Sequence, residues 1–411
     1  MNPDKPLSVA DARARILSSA RGPRNAESVA LAQALGRTLA ADLVAKRTQP
    51  PLAVSAMDGY AVRARDLAEL PVRLELIGES AAGHGFAGTV GPHQTVRIFT
   101  GAPVPDGADA ILIQENARLE GGFVVSAQSV APKRYVRAAG LDFTEGEILL
   151  KAGRRLGPAE IALAAAMNHA DLLVTRCPRV AILATGDELV RPGEPVTANQ
   201  IIASNTFAIA AFVEMSGGEP LDLGIAGDDF AALEAGIRAA RDAQADVLVT
   251  LGGASVGDHD LVRTALANEG MELGFWRIAM RPGRPLIHGR LGDMAILGLP
   301  GNPVSSVVCG VLFLKPLVRA LCGDPDAGKD WSEPAILGTA LPANDDRQDF
   351  LRASLVPQDG GLPVVTPFAA QDSSLLRVLA EAQCLLIRDA GAPAASGGEP
   401  CRIIRLSAGS I

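Results

Sequence analysis

Two carboxylates, Asp187 and Glu188, directly follow an apolar run at residues 180–185. Such a run predicts a buried strand. Carboxylate oxygens at the end of a strand are suitable ligands for a hard cation such as Mg²⁺, which usually takes one or two carboxylates together with substrate phosphate. The dipeptide Gly186-Asp187 is also ordinary turn chemistry, and the pair can equally form a turn and a helix cap. The motif by itself leaves the metal site and the structural turn open.

A glycine-rich loop follows the next buried run, at residues 246–251. Gly252 and Gly253 allow the backbone to approach a ligand closely, and Ser255 can donate a hydrogen bond to phosphate. Asp258 or Asp260 in the same loop could hold a metal or fix a hydroxyl group. Since no Gly-Lys-Ser/Thr follows, the loop is not a Walker A motif. The alternative is a purely structural strand-to-helix turn.

A third turn, formed by Pro300, Gly301 and Asn302, leads into a predicted helix at residues 304–321. The free N–H groups and the dipole at a helix N-terminus favour anions. A rigid structural turn that binds no ligand would account equally well for proline, glycine and asparagine at these positions. The motif therefore indicates an anion site only in combination with the neighbouring loops.

Positive charge is concentrated beside these loops, at Arg277, Arg281 and Arg284. The chain has a formal net charge of −8, which argues against general binding to nucleic acids or anionic membranes. An acidic protein that handles an anion must therefore gather its basic residues locally. The planar fork of arginine suits phosphate and other oxyanions.

The elements that must position these residues alternate between strands and helices over residues 177–325. This alternation predicts a mostly parallel, doubly wound α/β sheet, in which ligands bind at the carboxyl ends of the strands. Short alternating runs separated by Gly and Pro predict an inserted β-rich domain at 48–135. Helical spacing at 8–20, 26–43 and 158–170 predicts a helical linker domain built from 1–47 and 136–176. Short strands and turns predict a small, barrel-like β domain at 326–411.

The five cysteines are widely spaced and include no CxxC pair, which favours a reducing cytoplasm over a disulfide framework. The most apolar late stretch, at 304–314, is too short to span a bilayer. The N-terminal residues contain no apolar core of signal-peptide length. We therefore expect a cytoplasmic protein without membrane attachment.

Six motifs, in this order along the chain, resemble the MoeA family of molybdopterin molybdenumtransferases, which is related to the gephyrin E domain. They are SAMDGYAVR, RIFTGAPVPDGADAILIQE, ATGDELV, LGGASVGDHD, MRPGRP and LGLPGNPVSS. The resemblance implies an elongated, four-domain homodimer with a site shared between subunits. It also implies a reaction in which adenylylated molybdopterin and molybdate give molybdenum cofactor and AMP, assisted by Mg²⁺ or another divalent cation. Other proteins of cofactor biosynthesis are implied as partners.

The resemblance also implies roles for individual residues. Glu188 and Asp228 would bind the metal or polarise the reacting phosphate, with Asp142 nearby, while Asp58 and Thr100 would complete the site from the β-rich domain. Asp260 would act with the loop after the second strand. The substrate-binding residues implied are Gly252, Gly253, Ser255, Arg277, Arg281, Arg284, Pro300, Gly301 and Asn302, joined by Ser373 or Ser374 and by Arg347 or Arg352 from the C-terminal domain.

Three departures from the family pattern suggest a specialised paralogue as an alternative. Arg277 and Arg281 stand where the family usually has lysines, Leu141 replaces an acidic residue, and Ala203 replaces a frequent Asp. An adenylylating enzyme and a non-catalytic scaffold are competing functions. The β-rich motifs favour metal insertion over adenylylation, and the retained carboxylates count against a scaffold.

Overall fold

The computed structural model of the protein describes residues 6–20, 25–253 and 261–406. Helix α1 (Val9–Ser19) begins after Ser8, whose Oγ accepts the N–H of Asp11 at 3.0 Å. This is the predicted N-cap, which satisfies one of the free N–H groups of the first turn. The helix buries Ala12 and Ile16 in the core of the α/β domain, so the start of the chain is packed against its middle.

The predicted helix at 26–43 is wrong. The chain there forms β1 (Ala26–Ala30), a short 3₁₀ turn, and β2 (Leu43–Val44). Gly36, within the predicted helix, has a φ of +76°, in the left-handed region, which a right-handed helix cannot contain. Instead of bonding within a helix, the segment bonds to distant parts of the chain, for example through the Gly36 N–H to the Leu156 carbonyl at 2.8 Å. The linker region is consequently less helical than predicted.

The β-rich region has one six-stranded sheet in the order β7-β4-β6-β5-β9-β8, in which only the β5–β6 pair is parallel. Its strands, with β3 before them, are β3 (Val54–Ser55), β4 (Gly59–Val62), β5 (Val72–Ser80), β6 (Gln94–Ile98), β7 (Ala110–Ile113), β8 (Arg118–Glu120) and β9 (Phe123–Ser126). Apolar residues on both faces of the sheet form two small cores.

The chain then returns to the linker region through β10 (Val136–Arg137), β11 (Ile148–Leu150), α2 (Pro158–Ala166) and β12 (Asp171–Thr175). Short antiparallel pairs hold this region together: β10 with β3, β11 with β2 and β12 with β1. Helix α2 has proline in its first turn, as predicted, but it ends earlier than expected because Asn168 adopts a φ of +71°.

The central α/β domain contains a six-stranded sheet in the order β16-β13-β17-β21-β20-β18. The first four strands are parallel, as predicted, whereas β20 and β18 are antiparallel additions. The elements of this domain are β13 (Arg179–Thr185), β14 (Leu189–Val190), β15 (Ile201–Ile202), α3 (Asn205–Met215), β16 (Glu219–Ala226), α4 (Phe230–Asp242), β17 (Val247–Leu251), α5 (Leu261–Asn268), β18 (Glu272–Arg277), β19 (Met280–Arg281), β20 (Pro285–Leu291) and β21 (Met294–Leu299).

A long helical segment ends the domain: α6 (Pro303–Cys309), a π-helical stretch at Gly310–Leu314, and α7 (Lys315–Leu321). By length and composition alone this 19-residue segment could cross a membrane, but 72% of its most apolar window is buried inside the protein. Val304, Val308 and Phe313 have no exposed surface. The segment therefore serves as the central helix of the largest core.

The last region is a small β domain whose sheet order is β19-β23-β24-β22-β26-β25. Its own elements are β22 (Glu333–Leu337), β23 (Gln348–Val356), β24 (Val364–Pro367), α8 (Leu376–Glu381), β25 (Cys384–Arg388) and β26 (Pro400–Arg405). β23 also pairs with β25, which closes five of the strands into a ring and leaves β19 beside β23. Strand β19 belongs to the basic motif of the preceding domain and pairs with β23, so the two domains share a sheet.

Candidate functional site

Three loops meet at the carboxyl edge of the parallel strands, and glycines allow their close approach. A Cβ added to Gly252 would lie 2.7 Å from the Thr185 carbonyl oxygen, and one added to Gly301 would lie 3.4 Å from the Gly252 Cα. Gly252 and Gly253 have φ values of +98° and +64°, which other residues rarely adopt. The ends of β13, β17 and β21 thus form one continuous surface, as the sequence indicated.

Asp187 joins two of the strand-end loops. Its Oδ1 accepts the N–H of Asp228 at 3.0 Å, so the loop after β13 is tied to the loop after β16. The carboxylate of Glu188 folds back over Gly186, within 2.5 Å of where any other residue would place its Cβ. Sequence reasoning considered Asp187 as a possible ligand, whereas here it is a bridge that sets the position of Asp228.

Glu188 and Asp228 are therefore held on neighbouring loops with their carboxylates available. Within residues 6–20, 25–253 and 261–406, no three His, Cys, Asp or Glu side chains cluster closely enough to hold a metal ion by themselves. A magnesium ion does not require such a cage, because it usually binds one or two carboxylates, substrate phosphate and water. The donor set fits a magnesium ion that arrives with a phosphorylated substrate.

The turn at Pro300–Asn302 is braced by two other elements. Asn205, at the start of α3, donates from Nδ2 to the Gly301 carbonyl at 2.7 Å. Asn302 donates from Nδ2 to Ser373 Oγ at 3.0 Å, and the carbonyl of Ser373 accepts the Val304 N–H at 3.1 Å. Ser373 of the C-terminal domain thus sits at the N-terminus of the central helix, where the anion loop begins.

The other predicted residues of the C-terminal domain have supporting positions. Ser374 donates to the Asp372 carboxylate at 2.6 Å, and this hydrogen bond is the main cause that lowers the pKa of Asp372. Arg352 is only 1% exposed and donates to the Asp372 carbonyl at 2.9 Å, so it holds the loop that carries Ser373. Burial lowers the pKa of Arg352. The side chain is enclosed in this structure, and its predicted role in substrate binding stays a prediction.

Arg347 and Arg281 are both engaged by carboxylates. Arg347 donates from Nη2 to Asp345 at 2.7 Å, and this bond lowers the pKa of Asp345 to about 2. Arg281 forms a two-point pair with Asp349. This pairing raises the pKa of Arg281 and commits its guanidinium to the C-terminal domain. Its predicted contact with an anionic substrate requires this pair to open.

Arg277 and Arg284 lie at the same edge of the sheet as the three loops. β18 is antiparallel to β20, which is antiparallel to β21, so β18 runs in the same direction as β21. Arg277 ends β18 and Arg284 precedes β20, and both therefore lie on the carboxyl side of β21. Arg284 is exposed, and among the residues that the structure describes no ion pair engages it.

Asp58 and Thr100 meet within the β-rich domain. The Asp58 carboxylate accepts the N–H of Thr100 at 2.7 Å and its hydroxyl at 2.8 Å. These two hydrogen bonds, with a smaller contribution from Arg97, lower the pKa of Asp58. Sequence reasoning missed Arg97, which donates to the Gly59 carbonyl at 3.1 Å. Its place three residues before Thr100 in a strand was the available signal.

Asp142 is exposed, and its N–H bonds to the Gln49 carbonyl at 3.0 Å. Across residues 6–20, 25–253 and 261–406, no hydrogen bond connects Asp58, Thr100 or Asp142 with the loops of the α/β domain. Ser255 and Asp260, which were also predicted, lie outside the described residues. One chain thus presents two separate clusters of predicted site residues.

Similarity to known proteins extends over nearly the whole chain. The family models described as MoeA N-terminal region (domain I and II), probable molybdopterin binding domain and MoeA C-terminal region (domain IV) match residues 7–168, 181–320 and 334–406. A molybdopterin molybdenumtransferase of Haemophilus influenzae is 34% identical over 97% of this chain and 98% of its own. One from a Nostoc species is 36% identical over 93% of this chain and 89% of its own.

The fold agrees with this similarity. A crystal structure of a molybdopterin biosynthesis MoeA protein from Pyrococcus horikoshii superimposes with a TM-score of 0.82, at 26% identity, covering 97% of this chain and 99% of the other. The match includes the multidomain arrangement of α/β and β regions. On sequence and fold together, the chain belongs to the MoeA family.

Proposed function

We propose that this protein inserts molybdenum from molybdate into adenylylated molybdopterin and releases AMP. The observation that carries the proposal is the meeting of three strand-end loops with Ser373 at the N-terminus of the central helix. This surface combines backbone N–H groups, arginines and carboxylates. Such a combination suits a substrate that carries phosphate groups and reacts with a second oxyanion.

Each cluster has a distinct task in this reaction. Arg284 binds oxyanions of the substrates, because no ion pair among the described residues engages it, and the dipole of the central helix adds positive potential beside it. Glu188 and Asp228 would hold the magnesium ion. Bound there, the ion would neutralise charge on the phosphate bridge that breaks when AMP leaves.

The Asp58 carboxylate is oriented by two hydrogen bonds from Thr100, so it is suited to accept a hydrogen bond from a substrate group and to contribute negative charge to the site. In one chain it belongs to a different domain from Glu188. We infer that two copies of the chain form the complete site, with Asp58, Thr100 and Asp142 of one copy facing the α/β loops of the other.

Exposed apolar side chains near both clusters support this inference. Leu141 is 65% exposed beside Asp142, and Phe207 is 57% exposed on α3. Ile201, also 57% exposed, bonds through its N–H to the Glu188 carbonyl at 2.8 Å. Exposed apolar residues around a polar site are typical of a protein interface.

A reducing compartment such as the cytoplasm fits the chemistry of the cysteines. Cys177, Cys309, Cys322, Cys384 and Cys401 are all free thiols. Within such a compartment, we infer that other proteins of molybdenum cofactor biosynthesis supply the substrate and accept the product.

The test is an AMP-release assay with purified protein, adenylylated molybdopterin, molybdate and Mg²⁺. We expect stoichiometric AMP and molybdenum cofactor, with little AMP when molybdate is omitted. Binding of adenylylated molybdopterin without AMP release would instead support a scaffold. Formation of adenylylated molybdopterin from ATP and molybdopterin would support the adenylylating function.

A further inference from the structure

We propose that Trp276 is a positioning residue that holds Arg277 as a rigid receptor for a tetrahedral oxyanion of the substrates. The inference rests on the proposed function and adds a residue to its site. It starts from the contact of the Arg277 guanidinium with the Trp276 ring, whose centroid lies 3.6 Å from the guanidinium carbon.

Consecutive residues of a regular strand point to opposite faces, so neighbours cannot stack in this way. β18 departs from regular geometry, because its pairing with β20 shifts register on both sides of Phe275. Irregular pairing of this kind re-aims side chains and is common beside active sites. Here it brings Arg277 onto the ring of Trp276.

The ring is itself held in place. Trp276 packs against the core beneath α4 and α5, and the guanidinium carbon of Arg263, on α5, lies 4.7 Å from its centroid. Two cations therefore share one indole ring. The attraction of a cation to the face of tryptophan fixes the plane of Arg277 without neutralising its charge.

Arg277 retains unused hydrogen-bonding capacity. Its Nε is buried and, among the described residues, has no hydrogen-bond partner. No carboxylate of the described ranges forms an ion pair with its guanidinium, in contrast to Arg281, which is paired with Asp349. A planar donor that is oriented by an aromatic ring and not paired with a carboxylate is suited to two-point recognition of an oxyanion.

The position of Arg277 identifies the class of ligand. It ends β18 at the edge where the Gly252 loop and the Pro300 turn meet. Both oxyanions of the proposed reaction, molybdate and the phosphate of the pterin, are tetrahedral. The structure therefore assigns Arg277 to the binding of a tetrahedral oxyanion. Separate binding measurements will distinguish molybdate from the phosphate of the pterin.

The experiment uses the full chain with four variants: Trp276→Leu, Trp276→Phe, Arg277→Gln and the double variant Trp276→Leu/Arg277→Gln. Leu273→Ala, an exposed position on the same strand, is the matched control. Binding of molybdate, inorganic phosphate and AMP is measured by calorimetry. Values of KM and kcat are measured by AMP release, and Tm reports folding.

Trp276→Leu is expected to weaken oxyanion binding about tenfold and to raise the corresponding KM more than it lowers kcat, the size expected for a partly buried cation–π contact. Trp276→Phe should restore most of this loss. The double variant should bind oxyanions no more weakly than Arg277→Gln, because Trp276 acts only through Arg277 and the single change already removes the guanidinium. A loss confined to molybdate identifies the metal oxyanion, and a loss for phosphate and AMP identifies the substrate phosphate.

Unchanged oxyanion binding in Trp276→Leu would overturn the proposal. The proposal would also be overturned if oxyanion affinity fell in proportion to Tm in every variant, including Trp276→Phe. That pattern would mean that the tryptophan only stabilises the fold. If the wild type binds oxyanions but releases no AMP, the proposed function fails while the receptor can still be tested by binding.

Discussion

Arg281 and Asp349 form a two-point ion pair, in which Nε donates to Oδ1 at 2.9 Å and Nη2 to Oδ2 at 2.5 Å. Asp349 is buried, and the pair lies where β19 meets β23. It fastens the basic motif of the α/β domain to the C-terminal domain. A residue expected to bind substrate thus serves as a link between domains.

We predict that Asp349→Ala destabilises the C-terminal domain by about 1–2 kcal/mol, because removing one partner leaves a charged group without its bonded acceptor. Thermal unfolding and limited proteolysis between residues 326 and 347 would measure the effect. Arg377→Ala, which breaks an exposed ion pair with Glu381, is the control. It should change neither the thermal unfolding nor the rate of proteolysis. Equal effects of the two changes would show that the Arg281 pair has no special role.

Glu188→Ala should lower turnover about 10²-fold, as expected for loss of an electrostatic group at the reacting centre, with little change in Tm. The Mg²⁺ concentration for half-maximal AMP release should rise as well. Asp187→Ala is the comparison: it breaks the bridge to Asp228 and should lower both activity and stability. Matching losses of turnover and Tm in Glu188→Ala would make that residue structural.

A mixing experiment tests whether two subunits share the site. Asp58→Asn and Glu188→Gln should each be nearly inactive alone. After denaturation and joint refolding at equal concentrations, mixed dimers should restore about a quarter of the wild-type activity, because half of the dimers are mixed and each contains one intact site. Recovery is expected only if Asp58 and Glu188 of different copies act together. Persistent inactivity of the mixture would place both residues in one chain's site.

Gly253→Ala should destabilise the α/β domain by about 1–3 kcal/mol more than Gly292→Ala, through overpacking. Both glycines have a φ near +60°, at +64° and +61°. A Cβ at Gly253 would lie 2.2 Å from Val262 Cγ2, whereas one at Gly292 meets nothing within 4 Å. The difference in unfolding free energy thus isolates packing from backbone strain. Equal destabilisation would mean that the loop shifts to accept the methyl group.

His288 should make the α/β domain less stable in acid. Burial lowers its pKa to about 4 from an ordinary value of 6.5, while its Nδ1 bonds to the Ile296 carbonyl at 3.1 Å. The unfolded chain therefore binds a proton more readily than the folded one. The stability that His288 contributes is full above pH 6.5 and is lost as the pH falls towards 4, by up to about 3 kcal/mol.

Unfolding followed by Trp276 fluorescence in a Trp331→Phe background would measure this dependence between pH 7 and pH 4. In His288→Gln the slope over that range should decrease. An unchanged slope would assign the acid sensitivity to other groups.

The sequence predicted the parallel strands and their loops well because local patterns determine them. Buried apolar runs mark β13, β17 and β21, and the glycines at Gly252 and Gly253 mark the turns that follow. The antiparallel strands β18 and β20 were missed, since they are short and an internal glycine interrupts the apolar pattern of each.

The failures arose where distant parts of the chain decide local structure. Residues 26–43 have helical spacing, but their backbone groups pair with strands more than a hundred residues later. The substrate-binding roles expected for Arg281 and Arg352 stay predictions, and the groups that they bond in this structure, the Asp349 carboxylate and the Asp372 carbonyl, could not be identified from spacing. Bonds between residues far apart in the chain leave no local signal, whether they cross a domain boundary, as Arg281–Asp349 does, or stay within one domain, as Arg352–Asp372 does.

Because β19 completes the sheet of the C-terminal domain, the border between the two domains does not coincide with any single point along the chain. If the chain were cut near residue 330, the C-terminal fragment would lack strand β19. In the N-terminal fragment, β19 would have lost its partner strand β23. The last region is therefore a poor candidate for expression as an independent module. Exchange of this region between relatives should succeed only when the segment around Met280 and Arg281 is exchanged with it.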